Sequence, residues 1–284
     1  MSRQNIKLKA EELPSSYANE SVIEFSKIKQ HFTSSANTYK SNAQLQYDVG
    51  QCLIEGLLNA SASQGKPFLN VLDLGCGPGL FSEPLQSVAG SLISLDLSAA
   101  MLSENQSTAN SATSAKVQAN SHALPFKDNS FDAIFSSLMI QWCDLEKVLQ
   151  QVHNVLKEGA TAYISTLVKG SLYELEYAWS QVDSDTHLHH YLSESDIVGA
   201  VNRNRWAHVV MEQSQNTYWF NTPRDLAREL KNLGANYVER RNHKGLTPKS
   251  KWQAMESSYN EAFYDDKNNA VPATYQVVYL QLTK

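Results

Sequence analysis

The sequence predicts an α/β protein, a parallel β-sheet flanked by helices with a helical cap after the fifth strand. Three observations carry this. Short apolar runs alternate with helical stripes from Asn42 to Val168, which implies parallel strands joined by right-handed crossovers. A glycine-rich turn follows the first of those runs. After Val168 the rhythm changes to helices and scattered extended segments.

The elements follow in order. Residues 1 to about 25 read as a loosely ordered polar lead, and no apolar stretch there resembles a signal peptide. From Asn42 to Asn59, Leu45, Val49, Leu53 and Leu57 recur every four residues, one face of a helix. Phe68 to Leu74 reads as a buried strand, Gly75 to Gly79 as a tight loop, and Pro84 to Val88 as a helix. Ser91 to Leu95 is a second strand ending in Asp96, and Ser98 is a good N-cap for the next helix. A short strand near Lys116 to Ala119 precedes the strand Phe131 to Ser137. Asp144 caps a helix with the stripe Leu145, Val148, Leu149, Val152, Val155 and Leu156, which Gly159 is expected to stop. Ala160 to Leu167 is the fifth strand. Beyond it, Ser171 to Val182 and Ser193 to Val201 look helical, and Thr222 caps a helix to Leu233 with Pro223 at its first position. Val209 to Met211 and Thr217 to Phe220 look extended, and Thr274 to Leu282 alternates as a closing strand.

Composition bounds the function. Of 284 residues 42% are hydrophobic, enough for a real core, and 12 Gly with 8 Pro exclude collagen-like or low-complexity chains. A net charge of −5 disfavours general nucleic-acid binding. Cys52, Cys76 and Cys143 have no short spacing, so neither a disulfide framework nor a zinc site is readable and a cytoplasmic home is expected. No apolar run approaches the length of a membrane span.

The segment VLDLGCGPG at Val71 to Gly79 is the strongest chemical signal. Gly75, Gly77 and Gly79 let backbone approach a ligand at the carboxyl end of a strand. The G-x-G-x-G spacing, with Asp73 inside the preceding strand, suits a small zwitterionic ligand better than a pyrophosphate, and no P-loop pattern is present. Asp96 ends the second strand 17 residues after Gly79, where a carboxylate can accept from both hydroxyls of a ribose. A surface turn acid is the plainer alternative.

With LDLSAAML, ALPF and FDAIFSS at matching intervals, these residues resemble the class I S-adenosylmethionine-dependent methyltransferases over about Phe68 to Val168. The resemblance implies a Rossmann-like, mostly parallel seven-stranded sheet and S-adenosyl-L-methionine as cofactor. It carries over onto Gly75, Gly77 and Asp96, and implies further cofactor contacts at Tyr39, Asp73, Leu97, Asn120, Ser121 and Ser137. The family usually has an acid where this chain has Asn120, whose side-chain oxygen still accepts from adenine but without charge assistance. The implied organisation is a lid or lead segment at 1–41, a cofactor-binding core at 42–168, a substrate cap with C-terminal helices at 169–270, and a closing strand at 271–284.

Four outer segments narrow the resemblance: His31 to Gln46, Ser136 to Leu145, Ser165 to Asp183 and Trp219 to Ala235. Together they look like the malonyl-[acyl-carrier protein] O-methyltransferases of biotin synthesis. This implies methyl transfer to the free carboxylate of a malonyl thioester on an acidic carrier protein. Such an acceptor is already ionised and needs no general base. Gln141 and Trp142 are then expected at the substrate pocket, and Arg228 as the carboxylate anchor. Two alternatives remain: a methyltransferase of small acids or quinone-like molecules, and a non-catalytic cofactor-binding or partner-binding module. The string HLHH, with His187, His189 and His190, lacks a metal-binding spacing. Cys76 reads as a small filler of the glycine loop. The basic stretch Arg240, Arg241, His243, Lys244, Lys249 and Lys251 reads either as a docking patch for an acidic partner or as a solvated loop.

Overall fold

The computed structural model describes residues 4–6, 25–106, 114–238 and 247–284. Its eight described strands are β1 (Gln4–Ile6), β2 (Phe68–Leu74), β3 (Ala89–Asp96), β4 (Ser114–Gln118), β5 (Phe131–Ser137), β6 (Leu156–Leu167), β7 (His208–Phe220) and β8 (Val271–Thr283). They form one sheet in the order β1-β7-β8-β6-β5-β2-β3-β4. The five strands β4-β3-β2-β5-β6 run parallel, whereas β8 is antiparallel to both β6 and β7. The expected seven strands are β2 to β8, and β1 adds a short antiparallel edge to β7.

Helices cover both faces because successive strand residues alternate sides. Val71, Ala133 and Phe135 face a core with Leu53, Ile54, Leu57 and Leu85 from α2 (Gln44–Gln64) and α3 (Ser82–Ser87). Leu72 and Ile134 face the opposite core, with Leu149 and Val152 of α5 (Leu145–Val155) and Ile197 and Val201 of α7 (Glu194–Asn202). A third cluster joins α6 (Tyr173–Ser180), α8 (Pro223–Asn232) and α9 (Lys249–Phe263) to the first half of β8.

Local chemistry sets the helix starts. Ser98, Asp144 and Thr222 each accept a backbone N–H at the third residue beyond, opening α4 (Ala99–Glu104), α5 and α8. Ser193 and Asp196 form a reciprocal capping box on α7. Gly159 does not stop α5. The helix ends at Val155, and Gly159 takes a left-handed step at φ +75° inside β6 while its N–H bonds Lys284. The two extended pieces expected around Val209 and Thr217 are one continuous strand, β7, which pairs with β8 along its full length. Thus a strand of the sheet lies in the middle of 169–270, with α6 and α7 before it and α8 and α9 after.

Helix α1 (Phe25–Tyr39), not expected as a helix from the sequence, packs against α4 and α8. Thr33 bonds Ser98, while the hydroxyls of Ser35 and Thr38 donate to the carbonyls of Lys231 and Asn232 near the end of α8. No described helix is long and apolar enough to cross a membrane.

Packing at Gly50 of α2 leaves no room for a methyl group, since a Cβ there would sit 2.1 Å from ring carbons of Phe81. Phe81 is itself buried against Phe135. Overpacking of this kind costs about 1–3 kcal/mol, more than the roughly 0.5–1 kcal/mol alanine gains over glycine in a helix. Gly50→Ala is expected to lower the stability measured by urea unfolding. An equal or higher midpoint would mean that Phe81 swings clear without loss.

Candidate active site

The loop after β2 hangs from the end of β3, with the N–H groups of Gly75 and Cys76 both donating to the Leu95 carbonyl at 2.8 and 3.0 Å. Gly75 and Gly77 adopt φ +74° and +52°, a region that excludes most side chains. A Cβ on Gly75 would meet Met139 at 2.2 Å, whereas beside Gly77 there is nothing within 4 Å. A side chain at 77 would therefore project into open space. That space is a cleft at the carboxyl ends of β2, β3, β4 and β5, where an open α/β sheet binds ligands.

Asp96 holds the loop in place. Its Oδ2 accepts from Gly77 N at 2.9 Å and its Oδ1 from Ser98 N at 2.7 Å. Burial raises its pKa, opposed by those backbone donors and by Leu97 N–H. Each oxygen keeps acceptor capacity, so the carboxylate can still bind a diol. Asp73 sits one strand over and is 3% exposed. Burial first and Asp96 second push its carboxyl from 3.8 up to about 8. Asp73 does not line the cleft, whereas Tyr39, Gly75, Gly77, Asp96, Leu97, Asn120, Ser121 and Ser137 all do.

At the far wall, Asn120 Oδ1 accepts from His122 N at 3.0 Å, an Asx turn that fixes the amide. Ser121 Oγ lies 3.4 Å from Cys143 Sγ, and Ser137 Oγ 3.1 Å from Ser165 Oγ. Helix α1 closes the cleft: Phe25 packs edge-on against His122, and Phe32 against Trp142. Sequence reasoning missed Phe25, Ile28 and Phe32, because a helix with three buried residues carries a weak apolar stripe. Cys76 is buried in the loop, its thiol pKa raised by burial.

A second cavity adjoins the first. Phe32, Tyr39, Leu138 and Trp142 line both, and Gln46, Gln141, Tyr191, Glu229, Leu230 and Tyr275 line only the second. Leu138 stands at the partition with φ +49°, a costly conformation for a bulky residue. Its N–H donates to the carbonyl and the hydroxyl of Ser165, which hold it there. Gln141 is anchored through Nε2 to the Leu138 carbonyl at 2.8 Å. His189 Nε2 donates to the Gln141 carbonyl at 2.8 Å, and its ring packs on Trp142, with burial lowering its pKa. The HLHH string thus contributes a prop for the Gln141–Trp142 turn.

Other expectations fall elsewhere. Arg228 lines neither cavity; its side chain is 61% exposed and paired with Asp225 at 2.6 Å. Helical phase explains this: Leu226, Glu229, Leu230 and Leu233 take the inner side of the α8 segment, turning residue 228 outward. His187 stacks on Trp179 and approaches Asp183 and Asp185, but the ammonium of Lys251 already stands 2.6 Å and 3.7 Å from those carboxylates. Of the basic stretch, Arg240, Arg241, His243 and Lys244 lie outside the described residues.

A methyltransferase-domain family profile matches residues 72–164. The malonyl-[acyl-carrier protein] O-methyltransferase of Hamiltonella defensa is 33% identical over 253 residues, covering 89% of this chain and 92% of that protein. The chain belongs to the malonyl-[acyl-carrier protein] O-methyltransferase family. The biotin biosynthesis bifunctional protein BioHC of Cellvibrio japonicus is 34% identical over 264 residues, and this chain spans about half of it, 51%. The solved YcgJ protein of Bacillus subtilis superimposes with a TM-score of 0.56 at 15% identity, covering 77% of this chain and 93% of that one, a likeness of fold. As in other methyltransferases, the methyl donor is S-adenosyl-L-methionine. The residues present fit such a group: open space beside Gly77, a buried carboxylate at Asp96 that would accept from a diol, and an amide fixed at Asn120 that would accept from an adenine amino group.

Two outcomes follow. Asp96→Asn is expected to weaken S-adenosylmethionine binding by about tenfold or more, since charge-assisted hydrogen bonds are worth roughly 1.5–3 kcal/mol. Calorimetric titration measures it, and an unchanged Kd would remove Asp96 from the ligand's contacts. Asp73 gives a pH signature. A carboxyl raised from 3.8 to about 8 on folding lowers stability progressively as pH rises through that interval. The Tm of cofactor-free Asp73→Asn should therefore gain on the parent protein between pH 5 and pH 8, both inside that interval. A constant Tm difference would contradict the raised pKa.

Proposed function

We propose that the protein methylates the free carboxylate of a malonyl thioester carried on an acidic acyl carrier protein, in the cytoplasm, giving the methyl ester. The observation that carries this is the pair of adjoining cavities partitioned by Phe32, Tyr39, Leu138 and Trp142. One fits the methyl donor and the other is free for an acceptor. Among its described lining residues the second cavity has no histidine, cysteine or lysine to deprotonate an acceptor, and its one carboxyl is Glu229 of α8. An acceptor that arrives ionised needs no such base. Relatives named for malonyl-[acyl-carrier protein] add the substrate class.

The donor supplies a methyl group activated on a sulfonium. The malonyl carboxylate oxygen forms the new O–CH3 bond as the S–CH3 bond breaks, and that electron pair stays on sulfur. No proton moves. The chain's part is to align oxygen and methyl and to exclude water, which accounts for large rate factors without acid–base groups. Trp142, 8% exposed, and Leu138, 7% exposed, form dry walls at the crossing point. Gln141 offers its remaining amide hydrogen to the acceptor. Removal of charge from the substrate lets the neutral ester leave a largely apolar chamber.

Purified protein with S-adenosylmethionine carrying a labelled methyl is expected to label malonyl carrier protein and to leave butyryl carrier protein unlabelled. Label on neither, with cofactor bound, would overturn the substrate assignment. Gln141→Ala, which lines only the acceptor cavity, is expected to lower kcat/KM for the malonyl substrate by about tenfold, the size of one hydrogen bond to a charged group, with little change in cofactor Kd.

A further inference from the structure

The acceptor cavity has a polar lining of one kind. Tyr39, Tyr191 and Tyr275 bring hydroxyls, Gln46 and Gln141 bring amides, and no described lysine or arginine lines it. Burial raises the pKa of all three tyrosines, so their hydroxyls are neutral donors. The single ionisable acid is Glu229. No described residue forms an ion pair with it, and Tyr275 feels its charge. Burial raises its pKa as well, a sign that its ionised form lacks compensation.

The charge of the acceptor gives this acid a use. Tyr39, Leu138 and Trp142 are shared with the cofactor cleft, so the reacting carboxylate lies at their end. Glu229, Leu230 and Leu233 come from α8 and the turn after it, and belong to the acceptor cavity alone. The other end of a malonyl group is a thioester carbonyl, which carries no charge. In free malonate that position carries a second carboxylate. Like charges at close range in a partly dry site cost several-fold to many-fold in affinity, and rejection by an unfavourable pairing is an ordinary route to specificity.

We infer that Glu229 is a charge filter, a specificity-determining residue that admits acceptors with one negative charge to this cavity and rejects dicarboxylates. Neutral donors hold the one charge to be methylated, and Glu229 opposes a second. The enzyme thereby distinguishes malonyl esters and thioesters from free malonate. This rests on the acceptor assignment made above.

Two probes of nearly equal size separate charge from shape: free malonate, a dianion at neutral pH, and monomethyl malonate, a monoanion. Malonyl N-acetylcysteamine is the control for the acceptor assignment. Methyl transfer from labelled S-adenosylmethionine is measured for each with the parent protein and with Glu229→Gln. The parent is expected to use monomethyl malonate at a kcat/KM about tenfold or more above malonate, and Glu229→Gln to shrink that ratio by about tenfold, whatever it does to the absolute rates. General damage to the site would lower both rates and leave the ratio alone. A ratio unchanged by Glu229→Gln, with the thioester methylated, overturns the filter. Failure of the parent to methylate the thioester overturns the acceptor assignment instead.

Discussion

A buried carboxylate tying a glycine loop to a strand end is the constraint on which the rest depends. Asp96 accepts from Gly77 N and Ser98 N, so one side chain fixes the loop after β2 and the start of α4 together. The Leu95 carbonyl secures the same loop from the other side. Taking this carboxylate out of water is unfavourable, and the backbone donors return much of that loss. Asp73 stands beside it without comparable donors, and its carboxyl is held near neutrality. Two acids of one type thus differ because only one is furnished with N–H groups.

From that anchor the chemistry follows by position. Parallel strands bring four carboxyl ends to one edge, α1 covers them, and Leu138 and Trp142 divide the enclosed space in two. The acceptor half is built from apolar walls and neutral donors, with one carboxyl, from α8. Catalysis by such a site is alignment and dryness, which suits an acceptor that needs no deprotonation.

Much of this was legible in the residues. Strands β2 and β5 match their apolar runs end to end, because strands buried on both faces read as continuous hydrophobic stretches. The caps at Ser98, Asp144 and Thr222 were legible because capping is local chemistry. Strand β7 was only half visible: its central residues Glu212 to Asn216 are polar, and its continuity comes from pairing with β8, a partner far along the chain. Arg228 and Glu229 are neighbours in sequence with opposite fates, decided by the phase of α8 against the cavity. Tyr275 lies within the alternating run of β8 with nothing in the sequence to single it out, and only the fold brings it to the acceptor cavity.

The site of methylation on the malonyl group tests the central claim most directly. Attack by the carboxylate oxygen needs no base, whereas methylation at the carbon between the carbonyls requires a proton to be removed first. Carbon-13 NMR of the product formed from methyl-labelled S-adenosylmethionine and malonyl carrier protein separates the two. A methoxy resonance alone is the expected result; a C-methyl resonance would contradict a site that works by alignment without a base.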